Sequence, residues 1–157
     1  MTGTARTAPR DWLVDGSLAP HVDETPPGAL YRAAERGELA LPFCLSCRLP
    51  LEPEQRICDG CGGNAVSWEP VPLRGTVHTA TLVHRLEPGL VRASAPYPVL
   101  DVELDSGHRL IMTTLNPATA APAVGETVTI GFRTVGGVRI PAAVPAAAHS
   151  ETTEDRP

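Results

Sequence analysis

The sequence contains no lysine and few aromatic residues. All 13 basic residues are arginine, 4% of the 157 residues are aromatic, and the formal net charge is −5 at pH 7. Proteins that bind a phosphate backbone depend mainly on clustered Lys and Arg, and single-strand binders stack bases on aromatic side chains. The composition therefore argues against nucleic-acid binding. We interpret the absence of lysine, together with the abundance of Ala and Pro, as a genome-composition bias.

Long hydrophobic runs are also missing. The first sixteen residues lack the apolar segment of a signal peptide, and no stretch approaches the roughly 18 apolar residues of a membrane helix. We therefore expect a protein of the reducing cytoplasm with no membrane contact.

Cysteine is scarce, and all four copies lie in one short segment. Cys44 and Cys47 form one C-x-x-C pair, Cys58 and Cys61 form a second, and ten residues separate the two pairs. Two such turns can bring four thiolates to one point, in the tetrahedral arrangement that Zn²⁺ prefers. The sequence therefore predicts one zinc ion bound by these four cysteines.

Other roles for these cysteines fit the sequence less well. A thioredoxin-like redox pair stands alone at the start of a helix, whereas a second pair follows here and Pro50 and Pro53 interrupt the segment. Two disulfides would need an oxidising compartment. Iron bound by four thiolates stays open as an alternative, because sequence does not separate it from zinc.

A metal ion with four thiolate ligands has no open coordination position. Catalytic zinc sites usually have three protein ligands and bind water at the fourth position. We therefore expect a structural ion. Because that ion uses every thiol, no cysteine is left as a nucleophile, and no residue of the chain is predicted to be catalytic.

The sequence divides into four segments. Residues 1–24 lack periodicity and predict a flexible start, within which Trp12-Leu13-Val14 is an apolar island that packs on the protein's own surface or on a partner. Residues 25–69 predict a helix and a zinc ribbon, 70–142 a barrel, and 143–157 a disordered tail of small and polar residues.

The first segment of regular structure is a short helix. It is predicted to begin at Thr25 as the N-cap residue, with Pro26 in the first turn, and to end at Gly37. Its apolar face holds Leu30, Ala33 and Ala34. The alternating Leu39, Leu41 and Phe43 then predict a strand that leads into the first cysteine pair.

The second half of the chain has the pattern of short strands separated by glycine turns. Five strands are predicted, at Thr76 to Arg85, Pro98 to Leu104, Arg109 to Leu115, Thr127 to Arg133 and Val138 to Ala142. Five short strands favour a closed barrel over an open sheet with exposed edges. The predicted fold is mainly β: a helix and a rubredoxin-like zinc ribbon, followed by a five-stranded OB-fold barrel.

Several short matches, in a specific order and spacing, connect the chain to a known family. They are Arg36-Gly37-Glu38-Leu39 at the helix end, the two cysteine pairs, Trp68, Gly75-Thr76-Val77 with Thr81 and His84, Pro96-Tyr97, Val102-Glu103-Leu104 before Gly107, and Val124-Gly125 ahead of Val128. With these matches the chain resembles, from about Pro20 to Ala142, the zinc-ribbon plus OB-fold proteins that accompany enzymes of acyl-CoA metabolism. That family was formerly a domain of unknown function.

The resemblance implies a non-catalytic accessory or scaffold subunit. Its partner would be a thiolase-type, a hot-dog hydratase-type or an aldolase-type enzyme, within an acyl-CoA lyase, thiolase or acyltransferase complex. Such a subunit would help the partner to bind or channel an acyl-CoA thioester, so acyl-CoA is a possible ligand. The residues that would contact this ligand are unknown.

Two positions depart from the family pattern. Relatives commonly have Gly directly after the first C-x-x-C pair, where this chain has Arg48. Between the pairs the family tends to show a Pro-Pro-Arg-like segment, where this chain has Glu52-Pro53-Glu54. If that segment places a phosphate-bearing ligand in relatives, the acidic pair argues against such a ligand at this spot.

Two histidines of the barrel half are conceivable general bases. His78 and His84 would project from one face if their strand is regular. No serine, cysteine or carboxylate lies at a spacing that identifies a catalytic partner. We therefore expect surface histidines.

The charged residues of the barrel half also suggest alternatives. Asp101, Glu103 and Asp105 alternate along one strand, but they are an incomplete ligand set for a second metal ion. Three arginines could contact a CoA phosphate, although ordinary surface ion pairs are expected for each: Arg85, Arg92 and Arg109.

Single-stranded nucleic-acid binding is the alternative function, since zinc ribbons and OB barrels often bind single strands. Residues 70–141 hold six Arg against five Asp or Glu, with Tyr97 and Phe132 as their aromatic residues. This composition predicts neither a basic groove nor a stacking platform.

Overall fold

The computed structural model describes residues 10–23 and 25–146. A 3₁₀ turn at Gly16–Leu18 precedes one helix and seven strands. These are α1 (Gly28–Glu35), β1 (Leu39–Cys44), β2 (Val66–Val71), β3 (Arg74–Val83), β4 (Tyr97–Leu104), β5 (Arg109–Met112), β6 (Thr127–Val135) and β7 (Val138–Pro145). Among these residues, no helix is long and apolar enough to cross a membrane.

The strands form two sheets. β1 and β2 pair as an antiparallel ribbon, and the other five strands form a sheet in the order β5-β4-β3-β6-β7. This sheet curls into a nearly closed barrel whose ends meet just after β5: Thr114 and Ala143 form a parallel bridge, and the Leu115 N–H donates to the Ala143 carbonyl over 2.8 Å. The predicted five-stranded OB-fold barrel is confirmed.

Glycines form the tight turns of the barrel, as the sequence predicts. The β6–β7 hairpin turns at Gly136 and Gly137, with φ values of 53° and 89°. Two successive residues with positive φ form a type I′ turn, whose twist matches that of the paired strands. Gly107 and Gly125 also have positive φ values, at the turns before β5 and β6.

The helix begins later than the sequence predicts. α1 starts at Gly28 with Pro27 in the N-cap position, and the Thr25 hydroxyl donates to the His21 carbonyl instead of capping the helix. The prediction of Thr25 as N-cap is therefore wrong. Its predicted end is confirmed: Gly37 has a φ of 76°, and the N–H of Glu38 reaches back to the Ala33 carbonyl, a Schellman ending.

One hydrophobic core joins the helix and ribbon to the barrel. Leu30 of α1 and Leu39 and Leu41 of β1 are at most 4% exposed, and they belong to the same cluster as the barrel residues Leu100 and Val128. The predicted boundary at residue 70 lies inside β2, which continues to Val71. The two predicted parts are thus packed on a common core.

The chain start is also packed against the barrel. Asp11 Oδ2 accepts hydrogen bonds from the N–H groups of Leu13 and Val14 and lies 2.6 Å from Arg133 Nη1 on β6. The side chains of Asp11 and Arg133 are 1% and 12% exposed. The flexible segment predicted for residues 1–24 therefore does not extend over 10–23, and the apolar island packs on the protein's own surface. Residues 1–9 lie outside the described residues.

At the other end, β7 continues three residues beyond the predicted limit of the barrel, to Pro145. The tail predicted for 143–157 therefore begins later. Residues 147–157 lie outside the described residues.

A buried histidine connects the ribbon to the barrel. His108, at the β4–β5 turn, is 3% exposed, and its Nε2 lies 2.8 Å from the Pro42 carbonyl on β1. A carbonyl only accepts, so Nε2 donates and Nδ1 accepts from the Ser106 hydroxyl, 2.9 Å away. The ring also contacts Phe43 edge-on, with 4.7 Å between ring centroids. The neutral ring satisfies all of these contacts.

We expect Asp11→Ala to destabilise the fold by about 3–5 kcal/mol, because it leaves the Arg133 guanidinium buried without its carboxylate. Urea denaturation measures the change. Glu87→Ala is the control, since it removes one partner of the exposed Arg85–Glu87 ion pair and should have little effect. If the two substitutions lowered the free energy of unfolding equally, the buried Asp11–Arg133 ion pair would not be the stabilising contact inferred here.

Acid should destabilise the protein through His108. Burial lowers the pKa of His108 below its ordinary value of 6.5, although the Pro42 carbonyl opposes the shift. The folded state then binds this proton less tightly than the unfolded chain, so this contribution is complete above about pH 6.5 and decreases as the pH falls toward the folded pKa.

Urea midpoints of the wild type and of His108→Gln, which retains a donor but does not titrate, test this expectation. The wild-type midpoint should fall more steeply below about pH 6.5. Since both proteins have the same four cysteines, the effects of acid on those thiols cancel in the comparison. Parallel curves would refute a role for His108.

Candidate metal centre and adjoining cleft

The four cysteines converge as predicted. All four Sγ atoms lie within 4.8 Å of one another, with 3.6 Å between those of Cys44 and Cys61 and 3.5 Å between those of Cys47 and Cys58. Tetrahedral zinc with Zn–S bonds of about 2.3 Å requires sulfur separations of about 3.8 Å. The four thiols are therefore placed to hold a metal ion, and no other such group of His, Cys, Asp and Glu occurs in the part of the chain that the structure describes.

The two C-x-x-C turns have the same backbone structure. In the first, the N–H of Arg48 donates to the Cys44 carbonyl over 2.9 Å; in the second, the N–H of Gly62 donates to the Cys58 carbonyl over 2.8 Å. The N–H of Cys44 then donates to the Leu49 carbonyl, and that of Cys58 to the Gly63 carbonyl. The centre is thus built from two equivalent halves.

In each half, the residue four positions after the first cysteine has a left-handed backbone conformation, with positive φ. Gly62 supplies it in the second turn with a φ of 72°, whereas Arg48 has a φ of 66° in the first. Arg48 is the one non-glycine residue with positive φ among those described. A side chain in this region costs about 1–2 kcal/mol in general, so the turn must be stabilised in another way.

The Arg48 side chain supplies that stabilisation. Its two terminal nitrogens each lie 2.7 Å from an oxygen of Glu69 on β2, and its guanidinium lies 5.0 Å from the centre of the Phe43 ring. The Arg48 contact lowers the pKa of Glu69 to about 2. Arg48 therefore ties the first turn to both strands of the ribbon.

Backbone N–H groups lower the pKa values of the thiols, whereas the neighbouring Cys58 sulfur raises that of Cys47. The Cys47 N–H is the main cause that lowers the pKa of Cys44 to about 6. The Leu49 N–H also favours the Cys47 thiolate, but the adjacent Cys58 sulfur and burial together raise the pKa of Cys47 to about 12. Four thiolates so close together repel one another, and a divalent cation among them removes that repulsion.

Such a centre would be closed to substrate. Cys44 and Cys58 are buried, with 0% and 1% exposure, whereas Cys47 and Cys61 lie on the surface. With four thiolate ligands, a metal ion here would have no position for a reacting water. The arrangement can hold the chain together.

A cleft of about 660 Å³ lies beside the ribbon, between α1 and the barrel. Its walls are Leu30 and Tyr31 of α1, residues 110–113 of β5 and the turn after it, and Ile140 and Pro141 of β7. Glu52 and Glu54 stand at its rim, and Arg133 also lines it. The acidic segment that departs from the family pattern therefore faces a cavity of ligand size.

The two candidate histidines do not form a site. β3 has a register irregularity between Val77 and Thr79, so the strand is not regular at His78, and it ends at Val83, before His84. Both histidines are exposed, and His78 lies 3.8 Å from Glu103. They are surface histidines, as expected.

Each residue of the predicted acidic row, which runs from β4 into the following turn, lies near a basic side chain. Asp101 contacts Arg109, and Asp105 lies 3.9 Å from Arg74. Glu103 faces His78. The carboxylates of Asp101 and Asp105 are therefore engaged with arginines.

The three arginines considered for a CoA phosphate are all paired with carboxylates. Arg85 pairs with Glu87, Arg92 with Asp15, and Arg109 with Asp101. Surface ion pairs are thus present at all three positions, as the sequence predicts.

Sequence reasoning missed His108 and the Asp11–Arg133 pair. Ser106 and His108 are adjacent to the turn glycine Gly107, but nothing in the sequence indicates that the ring reaches Pro42, 66 positions earlier. This Ser–His contact lies in a local turn with a nearly fully buried ring, and neither residue lines the cleft. It is a structural contact.

One family model and a solved structure are similar to this chain. Residues 68–133 match the family model described as ChsH2, C-terminal OB-fold domain. A chain from the solved structure "Ltp2-ChsH2(DUF35) aldolase" is similar with a TM-score of 0.67 and 22% identity, over 82% of this chain and 99% of that one. No match was found among the curated proteins. The resemblance to the zinc-ribbon plus OB-fold proteins is thereby confirmed.

Substitution of Arg48 should separate backbone strain from side-chain contacts. Arg48→Gly removes both the strain and the Glu69 pair, whereas Arg48→Ala removes the pair and retains the strain. We expect Arg48→Ala to melt roughly 2–4 °C below Arg48→Gly. Thermal denaturation of the two variants, each prepared with zinc, measures their melting temperatures. If the alanine variant were as stable as the glycine variant, the backbone at this position would not be strained.

Proposed function

Since residues 68–133 match the ChsH2 C-terminal OB-fold domain family, we propose that this chain is a non-catalytic accessory subunit of an acyl-CoA-metabolising enzyme. The partner is an aldolase-type, thiolase-type or hot-dog hydratase-type enzyme. The subunit helps this enzyme to bind or channel an acyl-CoA thioester. Its compartment is the cytoplasm.

The observation that carries the proposal is the extent of the structural likeness. The similar chain comes from a structure named for two components, Ltp2 and ChsH2, and for an aldolase, and the likeness covers 99% of that chain. Because the likeness also covers 82% of the present chain, it must include residues of both the ribbon and the barrel. The aldolase-type partner is therefore the first to test.

The described residues also favour an accessory role over independent catalysis. The four thiols are placed to hold a metal ion, and the candidate histidine His78 lies beside the Glu103 carboxylate on the surface. Large apolar side chains are exposed on and beside the cysteine turns, at Leu45, Leu49 and Ile57, and on β5 at Ile111. Exposed apolar groups of this kind are typical of surfaces that contact other proteins.

We further propose that the metal is one structural Zn²⁺ held by Cys44, Cys47, Cys58 and Cys61. The sulfur separations support tetrahedral coordination, and zinc bound by four thiolates typically holds a small module folded. The ion would fix the two turns and the segment between them. It would supply no step of the reaction.

Co-expression tests the accessory role. The chain is expressed with an aldolase-type, a thiolase-type or a hydratase-type enzyme encoded beside it, and complexes are isolated by size-exclusion chromatography. We expect a stoichiometric complex with at least one of them and a higher rate of acyl-CoA turnover by that enzyme when the chain is present.

Turnover of a thioester by the chain alone would contradict the proposal, and so would failure to bind all three enzyme classes. A salt-sensitive shift of single-stranded DNA would instead support the alternative function. Among the described residues nothing favours that alternative, because most barrel arginines are paired with carboxylates.

Elemental analysis tests the metal. We expect about one zinc and no iron per chain. Cys58→Ser should lose the metal and lower the melting temperature, because a buried thiolate ligand is removed. Arg56→Gln, a change at an exposed residue of the same segment, should retain both. A metal-free wild type of unchanged stability would refute the metal centre.

A further inference from the structure

The barrel is open on one side. β5 bonds to β4 through Arg109–Met112, and its contact with β7 begins only at Thr113, whose carbonyl accepts from the Ala143 N–H over 2.9 Å. Before that point the outer edge of β5 has no strand partner among the described residues. The cleft of about 660 Å³ lies along this edge.

The opposite wall of the opening cannot complete the sheet. It is formed by Ile140 and by Pro141, which has no N–H to donate. An unpaired strand edge beside an apolar cavity is the arrangement to which an extended peptide can add as a further strand. Its backbone would bond to β5 while alternate side chains enter the cavity.

The interior of the cleft is apolar and partly exposed. Leu30 and Met112 form its base and are buried, with 4% and 6% exposure. Leu110 is half-buried, and Ile111 at the edge is 71% exposed, which is high for a residue of its size. An occupant with apolar side chains would cover Leu110 and Ile111. The shape and lining thus favour a chain with alternating apolar residues.

The rim of the cleft is negative. Glu52 and Glu54 have no ion-pair partner among the described residues, whereas Asp101, Asp105 and Glu69 each contact an arginine. Burial, and secondly the charge of Glu54, raises the pKa of Tyr31 inside the cleft. The carboxylates of Glu52 and Glu54 therefore make the rim negative, and they would repel the phosphates of CoA.

The arginine that lines the cleft is already paired. Arg133 Nη1 lies 2.6 Å from Asp11 Oδ2, so the Asp11 carboxylate neutralises the guanidinium charge. Among the described residues, the unpaired charges of the cleft are therefore the carboxylates of Glu52 and Glu54, which favour an occupant that carries a positive charge.

We propose that this cleft binds an extended segment of the partner enzyme in which a Lys or Arg stands among apolar residues. The inference rests on the proposed function for the identity of the partner. The basic side chain pairs with Glu52 and Glu54, and the backbone adds to the edge of β5. The residues of this chain after Ala146 are net acidic, so the rim would repel them.

Two pairs of variants test the cleft in the complex. Glu52→Gln/Glu54→Gln removes the rim charge, and Asp23→Asn/Glu35→Gln removes two exposed charges that do not line the cleft. Ile111→Ser alters the edge, and Val124→Ser alters an aliphatic side chain of similar exposure, 68% against 71%. Calorimetry at low and high salt measures the affinity for the partner enzyme.

We expect the rim variant to bind roughly fivefold more weakly, with a smaller loss of affinity at high salt than the wild type shows. Ile111→Ser should weaken binding to a similar degree, and both control variants should bind like the wild type. A complex unaffected by the rim and edge variants overturns the cleft inference and leaves the accessory function intact.

A peptide titration decides the inference even if no enzyme binds. The probes are ten-residue peptides of alternating valine and lysine or alternating valine and glutamate, added to the full-length protein. Amide NMR shifts on β5 and β7 with the lysine peptide, reduced in the rim variant, support the proposal. No shift at β5, equal shifts with the glutamate peptide, or the same shifts on concentrating the protein alone overturn it.

Discussion

Repulsion among four thiolates within 4.8 Å of one another is the constraint on which the first half of the molecule depends. The apolar cluster around them is small: Cys44, Leu51 and Cys58 are buried, and Val66 packs against them. A cluster of this size cannot offset the ordering entropy of the segment between the cysteines. The proposed cation, held by all four sulfurs, would supply the missing free energy and fix both turns together.

The ribbon that carries the four cysteines is part of a larger rigid unit. Its strand β1 and the helix before it share the barrel core, and the Pro42 carbonyl accepts from His108 across the junction. Because core packing and a buried hydrogen bond both connect the parts, the cysteine turns keep a fixed position relative to the cleft. An enzyme bound to one surface would therefore meet the other in a defined geometry.

Local chemistry made most of the fold predictable. C-x-x-C spacing identifies the ligands, alternation of apolar residues identifies the strands, and glycine pairs mark the turns. What escaped prediction depends on distant residues: Asp11 and Arg133 are 122 positions apart, and the cleft combines α1, β5 and β7. The helix start was misplaced because Thr25 suits an N-cap by residue type, while its hydroxyl bonds to His21.

The clamp between Asp11 and Arg133 has a practical consequence for dissecting the protein. The family match spans residues 68–133, which makes that interval an obvious choice for an isolated domain. Such a fragment would retain the guanidinium and discard the carboxylate that compensates it, along with the strand β7 that closes the barrel. Domain boundaries drawn from similarity alone would therefore separate the two partners of a buried ion pair that lie far apart in the sequence. Instability of such a fragment would not imply instability of the intact protein.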